Sequence, residues 1–333
     1  MSEMFVFKGS PSGRVIKQAR PITDHSLKDG QVLVRITHSG ICGTDEHYKT
    51  EDMVLGHEGV GVVEAIGESV KRLSIGDRVG WGYCHGSCMA CRECQKGQEL
   101  YCSRRELYGA TNLHQGSFAS HAIWNEAFLF LIPDSLPSAE AAPLMCAGAA
   151  VYSALSGAKI RWSDRVGILG VGGLGHLAIQ FAAKMGCQVV ALSNTPNKGK
   201  DATAFGATEF VCLADADAAL AEPVDCLHLA GAKQPDWSKI IPLVRRGGLI
   251  VAMTVDPEDL RVPYMALVMN AISIQGSLPA PPALHREMLE FASLHSVLPM
   301  IETFPFTKDG IDEAMEKLRQ GRMRYRAVLV SAL

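Results

Sequence analysis

Arg165-Val-Gly-Ile-Leu169 runs directly into Gly170-Val-Gly172-Gly173-Leu174-Gly175, and the architecture is read from this stretch. The first five residues make a short apolar strand, and G-x-G-x-x-G follows without a spacer. Beyond the glycines, Leu174, Leu177, Ala178, Phe181, Ala182 and Met185 recur at steps of three and four. That spacing is one face of a helix, which Gly186 is placed to end. In this strand–turn–helix setting the first glycine makes the tight turn and the second lets backbone approach a pyrophosphate. The third allows helix and strand to pack closely, and the helix start offers oriented N–H donors to an anion. The stretch predicts a dinucleotide cradle formed by Gly170, Gly172, Gly173, Leu174 and Gly175.

Toward the C-terminus, residues 188–192 are a second strand and a helix is expected near 198–205, stopped by Gly206. Strands at 210–213, 226–229 and 249–253 continue the alternation. Strands alternating with helices of this length imply an α/β fold with a doubly wound parallel sheet. Toward the N-terminus the grammar differs. Residues 31–37 and 61–66 are short apolar runs bounded by Asp29-Gly30 and Gly67, and the first 150 residues are β- and turn-rich. After Pro279, Pro281 and Pro282, helices near 283–294 and 309–319 and a strand at 325–330 close the chain. This tail is expected to return to the first domain, so that the αβ unit is an insertion. The expected division is 1–148 with 282–333 against 149–281.

Composition narrows the class. With 333 residues, 47% apolar and 20% charged, the chain can bury its own cores and is not of disordered type. Lysine and arginine total 32 against 35 acids, so no basic face for a nucleic acid is expected. Apolar runs are broken well before membrane-spanning length, and the first 20 residues lack the pattern of a signal peptide. A cytoplasmic location without a membrane partner is expected.

The coenzyme choice is set where the second strand ends. NAD-binding sheets usually carry an acid there for the ribose diol. Here Ser193-Asn194-Thr195-Pro196-Asn197-Lys198 follows, with no acid before Asp201. Small hydroxyls and a lysine suit a 2′-phosphate, which a carboxylate would repel. Ser193, Asn194 and Lys198 therefore predict NADP(H), the alternative being that Lys198 only solvates a helix start.

Ten cysteines in a chain of this type read as metal or catalytic ligands before disulfides. Cys88-x2-Cys91-x2-Cys94-x7-Cys102 supplies four thiolates on one loop, a closed tetrahedral structural zinc site. Cys84 and His85 are spare donors outside the even spacing. A nucleic-acid-binding zinc knuckle would want interleaved aromatics and bases, whereas Arg92, Lys96, Arg104 and Arg105 are balanced by Glu93, Glu99 and Glu106. A second, dispersed set comprises Cys42, Gly56-His57-Glu58 and Cys146. Spacing alone does not join them.

The motifs Ile41-Cys42-Gly-Thr44-Asp-Glu-His47, Gly56-His57-Glu58, the four-cysteine loop, Pro143-Leu-Met-Cys146 and the glycine turn occur in one order. That order resembles the zinc-dependent medium-chain alcohol dehydrogenases, especially the cinnamyl-alcohol-dehydrogenase-like branch, over essentially the whole chain. The resemblance implies a GroES-like catalytic domain built from both chain ends around an inserted Rossmann domain, two zincs per chain, NADP and a homodimer. It implies that Cys42, His57 and Cys146 hold a catalytic zinc with a fourth position open, beside which Glu58 is an alternative ligand. Thr44 would hydrogen-bond the substrate oxygen and His47 would pass the proton to solvent. Arg326 would contact the coenzyme near its pyrophosphate. Only 14 residues separate Cys42 from His57, fewer than is usual in the family, which predicts a wider or differently shaped pocket.

The implied reaction interconverts a primary alcohol and an aldehyde with NADP(H), in the direction of aldehyde reduction. The alternative on the same fold is NADPH-dependent reduction of a C=N or activated C=C bond. Thr44, the relay hydroxyl, favours carbonyl chemistry.

Overall fold

A computed structural model describes residues 3–21, 27–215 and 220–331. They fall into two compact units, Met1–Ala149 with Ala280–Leu333, and Ala150–Pro279.

The second unit is a parallel sheet of six strands. Arg165–Leu169 pairs on one side with Gln188–Ser193, which pairs with Glu209–Cys212. On the other side it pairs with Val224–Leu229, then Val244–Ala252, then Ser273–Gly276. Numbered along the chain, the order across the sheet is 3-2-1-4-5-6, the dinucleotide-binding arrangement with its reversal beside the first strand. Val166, Ile168, Val190, Leu192, Leu227 and Ile250 are fully buried, as strands covered on both faces require. The helix Gly175–Lys184 buries Leu177, Ala178, Phe181 and Ala182, and Gly186 ends it in a positive-φ conformation (φ +90°).

Two details differ from the sequence reading. The segment near 198–205 starts as the 3₁₀ turn Pro196–Lys198 before becoming the helix Gly199–Ala204. The sixth strand, Ser273–Gly276, follows a helix Tyr264–Asn270 that no periodicity revealed. The helix exposes most of its apolar side chains and the strand carries only one, half-buried Ile274, so neither shows the one-sided pattern that marks a buried face.

The first unit is built on a seven-stranded sheet. Its order runs Ile301–Pro305, Arg326–Val330, Gln31–Ile41, Gly59–Ile66, Arg78–Trp81 and Phe130–Leu131, with His121–Asn125 pairing separately with Gln31–Ile41. The chain's last strand thus joins the first half of the chain, Ala327 facing Ile41 and Val328 facing Gly40. Val32, Val34, Ile36, Val63, Val79, Trp81 and Phe118 form the core under it. In the short segment after Cys42, Thr50, Glu51 and Asp52 are exposed and Met53, Val54 and Leu55 are buried in this core. The hairpin Cys84–Gly86 with Glu106–Leu107 flanks the four-cysteine loop. No helix among the described residues is long and apolar enough to cross a membrane.

Candidate metal centres and coenzyme turn

The dispersed ligand set comes together at the end of the long strand Gln31–Ile41. Cys42 caps the short helix Gly43–His47, which carries Thr44, Asp45 and His47. His57 and Glu58 lead into the neighbouring strand Gly59–Ile66, and Cys146 sits in a single π-helical turn, Leu144–Gly148. His57 Nε2 lies 3.3 Å from Cys42 Sγ and 3.3 Å from Cys146 Sγ. The donor atoms of Cys42, His57, Glu58 and Cys146 all lie within 4.8 Å of one another. A sulfur and an imidazole nitrogen on one tetrahedral zinc would be separated by about 3.6 Å, from bond lengths near 2.3 and 2.0 Å. The donors and their spacing therefore fit zinc.

Neighbouring groups orient these donors. His57 Nδ1 lies 2.9 Å from Asp45 Oδ1, so a proton donated there directs the Nε2 lone pair at the two sulfurs. Asp45 is fully buried and also accepts the Cys42 N–H at 2.9 Å and the Tyr108 hydroxyl at 3.0 Å. The Cys42 thiol is pushed well down, chiefly by its hydrogen bond with Cys146 and, against burial, by His57. The same contact and burial push the Cys146 thiol up. Its sulfur accepts the Thr44 N–H at 3.3 Å.

Glu58 is fully buried and forms an ion pair with Arg326 from the last strand. Burial raises the Glu58 carboxyl to about 7, although Arg326 draws it down. Its Oε2 has no hydrogen-bond partner, and one oxygen of the same carboxylate is grouped with the thiols and imidazole. Ser117 fixes the same segment, accepting the Glu58 N–H at 3.3 Å while lying 2.6 Å from the Ser39 hydroxyl. Thr44 is half-buried and His47 exposed. Arg326 is thus placed in the first unit, against Glu58.

In the four-cysteine loop, Cys102 Sγ lies 3.5 Å from Cys88 Sγ, and Cys94 Sγ lies 3.6 Å from Cys91 and 3.9 Å from Cys88. The edge of a tetrahedron of sulfurs at 2.3 Å from zinc is about 3.8 Å, whereas a disulfide bond is about 2 Å. All ten cysteines are free. Backbone N–H groups of Ala90 and Cys91 bring the Cys88 thiol down to about 5, towards the thiolate a metal needs.

The glycine turn lies in the second unit. Gly170 takes φ +101°, and a Cβ there would come within 2.9 Å of the Gly231 backbone. A Cβ on Gly175 would sit 1.7 Å from the Gly170 carbonyl oxygen, so only glycine lets helix and strand meet. A Cβ on Gly172 would touch nothing within 4 Å, the open approach a pyrophosphate needs. Gly173 and Leu174 complete the turn into the helix. Gly170, Ser193, Asn194 and Gly231 line a cavity of about 1160 Å³ at the carboxyl ends of the strands. Ser193 Oγ accepts the Thr195 N–H at 3.2 Å, and Lys198 follows in the 3₁₀ turn. The cavity and cradle fit a dinucleotide.

Asp45, Tyr108, Ser117 and His176 were not singled out by sequence. His176, fully buried, places Nδ1 2.9 Å from the Gly172 carbonyl and so braces the turn. Asp45, three residues after a cysteine, was the most accessible of these signals, since that spacing is a capping box.

Comparison with known proteins agrees with this geometry. Residues 28–134 match the family profile "Alcohol dehydrogenase GroES-like domain" and residues 173–293 match "Zinc-binding dehydrogenase". An alcohol dehydrogenase of Geobacillus stearothermophilus is 33% identical over 316 residues, 91% of this chain and 92% of the relative. A cinnamyl alcohol dehydrogenase of Sorghum bicolor superposes with a TM-score of 0.92 at 29% identity, covering 99% of this chain and 98% of the other. The cinnamyl alcohol dehydrogenase of Helicobacter pylori, solved with NADP(H), gives 0.89 at 25% identity, with 98% of each chain covered. With its GroES-like and Rossmann folds, this chain belongs to the zinc-binding, medium-chain alcohol dehydrogenase family.

Proposed function

We propose that the protein interconverts primary alcohols and aldehydes with NADP(H), working as an aldehyde reductase, with 1–148 and 282–333 as catalytic domain and 149–281 as coenzyme domain. The observation that carries the reading is the convergence of two sulfurs, one imidazole and one carboxylate oxygen, from three separate chain segments. Bound zinc would supply Lewis acidity towards a carbonyl oxygen, and NADPH the hydride.

The chain's own residues then divide the work. Cys42, His57 and Cys146 hold the metal, and Asp45 keeps the His57 N–H on Nδ1. Glu58, held by Arg326 through one oxygen, keeps its carboxylate beside the ligands. Thr44 donates the proton at its hydroxyl, and exposed His47 exchanges it with solvent. Cys88, Cys91, Cys94 and Cys102 close the structural site. The glycine turn receives the pyrophosphate; Ser193, Asn194 and Lys198 receive the 2′-phosphate. A pyrophosphate contact by Arg326 would share its guanidinium with Glu58.

A homodimer is supported by the second unit's sheet edge. Ser273–Gly276 is a terminal strand, and the helix before it exposes Tyr264 (76%), Met265 (61%) and Met269 (71%). Unpaired strand edges beside apolar surface favour a second copy. Ten free thiols support a reducing, cytoplasmic location.

The test is a metal count with NADPH oxidation on benzaldehyde-type and enone substrates side by side. Two zincs per chain with aldehyde turnover are expected. Turnover of the enone alone, or full activity after metal removal, would overturn the reading.

A further inference from the structure

The Tyr108 phenol sits between two segments that must agree on where the His57 ring lies. Its hydroxyl accepts the N–H of Gly56, the residue before His57, at 2.9 Å. The same hydroxyl donates to Asp45 Oδ1 at 3.0 Å, the oxygen that faces His57 Nδ1. The Tyr108 ring also lies on the His57 imidazole, with centroids 4.6 Å apart and planes 29° from parallel. One side chain thus touches the ligand's ring, its preceding peptide and its carboxylate partner, and it is itself 4% exposed.

Tyr108 has its own anchor. It follows the strand Glu106–Leu107, which pairs with Cys84–Gly86, and its N–H bonds the Tyr83 carbonyl at 2.9 Å. The four-cysteine loop is the excursion between those two strands. Gly56 depends on the arrangement because it takes φ +91° and a Cβ there would meet Phe118 and Ser117 within 2.4 Å. Its N–H is buried, and Tyr108 supplies its acceptor.

We propose that Tyr108 is a positioning residue for the His57 metal ligand, fixing ring plane and Nδ1 partner together through one hydroxyl and one stacked face. The inference rests on the zinc reading above. It differs from a packing role because only the hydroxyl, not the ring, holds Asp45 and Gly56.

The experiment is zinc release from the full-length, zinc-loaded protein to the chromogenic chelator 4-(2-pyridylazo)resorcinol, comparing wild type, Tyr108→Phe, Asp45→Asn and the double variant. Loss of an outer hydrogen-bond partner typically costs roughly 10–100-fold in metal affinity. Tyr108→Phe is therefore expected to speed release of one zinc about 10-fold or more while the other zinc and NADPH affinity stay unchanged. In the Asp45→Asn background the same change should add little, since both act through one oxygen. Cobalt in place of zinc should show a shifted ligand-field band in Tyr108→Phe. Release at the wild-type rate overturns the proposal. So does faster loss of both zincs in step with a lowered melting temperature, which assigns a packing role. A wild type that holds a single zinc is a different result, and it overturns the zinc reading itself.

Discussion

Glu58 and Arg326, 268 positions apart, form a buried ion pair that ties the chain's last strand to the metal-binding segment. Arg326 opens the strand Arg326–Val330, and Glu58 precedes Gly59–Ile66. Burial works against the arginine's charge, but Glu58 and the thiols of Cys42 and Cys146 hold it protonated. Removing one partner strands the other in a low-dielectric interior.

Arg326→Met should therefore destabilise the protein by up to about 3–5 kcal/mol at alkaline pH, the usual cost of leaving a buried charge uncompensated, and by less near pH 7, where Glu58 takes a proton instead. Urea unfolding of both proteins measures it. A loss below about 1 kcal/mol at alkaline pH would mean that Glu58 finds another partner.

Two glycines of the same turn should fail differently. Gly175→Ala puts a Cβ into the Gly170 carbonyl and should lower stability, since backbone cannot move aside. Gly172→Ala meets nothing, so its melting temperature should stay close to wild type. Its NADPH affinity should nonetheless fall at least about 10-fold, because the methyl occupies the pyrophosphate's approach. Equal NADPH affinity in Gly172→Ala and wild type, measured by fluorescence titration, would remove the turn from the binding site.

Lys198→Ala addresses the 2′-phosphate. A charge-assisted contact contributes about 1.5–3 kcal/mol, so the NADPH-over-NADH preference should narrow by about 10-fold or more. An unchanged ratio would reduce Lys198 to a surface cation.

Cys102→Ser removes one sulfur from the loop tetrahedron. The zinc count should drop by one, and the loop between Ser87 and Arg105 should become sensitive to proteolysis, because its order depends on the metal. NADPH binding, which we assign to the other unit's glycine turn, should persist. Retention of two zincs in this variant would contradict the four-thiolate assignment.

Stability should fall in mild acid for a reason outside the metal sites. Burial holds His285 at about 3, with Arg286 adding to the effect, and burial alone holds His228 at about 4. The unfolded chain takes up protons near pH 6.5 that the fold refuses, so stability is complete above that pH and declines below it. By pH 4 each histidine costs about 3 kcal/mol. His285→Phe keeps a ring against Phe130, whose centroid lies 4.0 Å away, and removes one titration. Unfolding free energies at pH 7, 5.5 and 4.5 should show a shallower decline in the variant; parallel curves would exclude His285 as a source.

Legibility in the sequence followed the range of each interaction. The glycine turn and the four-cysteine loop were readable because their parts lie within a few residues and backbone geometry brings them together. The alternating strands and helices up to Val251 were readable because each buries one or both faces. The strand Ser273–Gly276 escaped because an exposed edge leaves no hydrophobic period. Arg326 and Glu58 were each legible as site residues only through resemblance, and their pairing with one another was not legible at all.

Chain order and side-chain chemistry alone determined the dinucleotide turn, the thiolate loop and the parallel αβ unit, since these are local consequences of φ, spacing and periodicity. Only the tertiary structure decided that Cys42, His57 and Cys146 share one coordination space, and that Asp45 and Tyr108 aim the imidazole between the sulfurs. The physical reason is that a strand end, a neighbouring strand and a π-turn approach one another through long-range sheet pairing and core packing, which residue spacing does not encode.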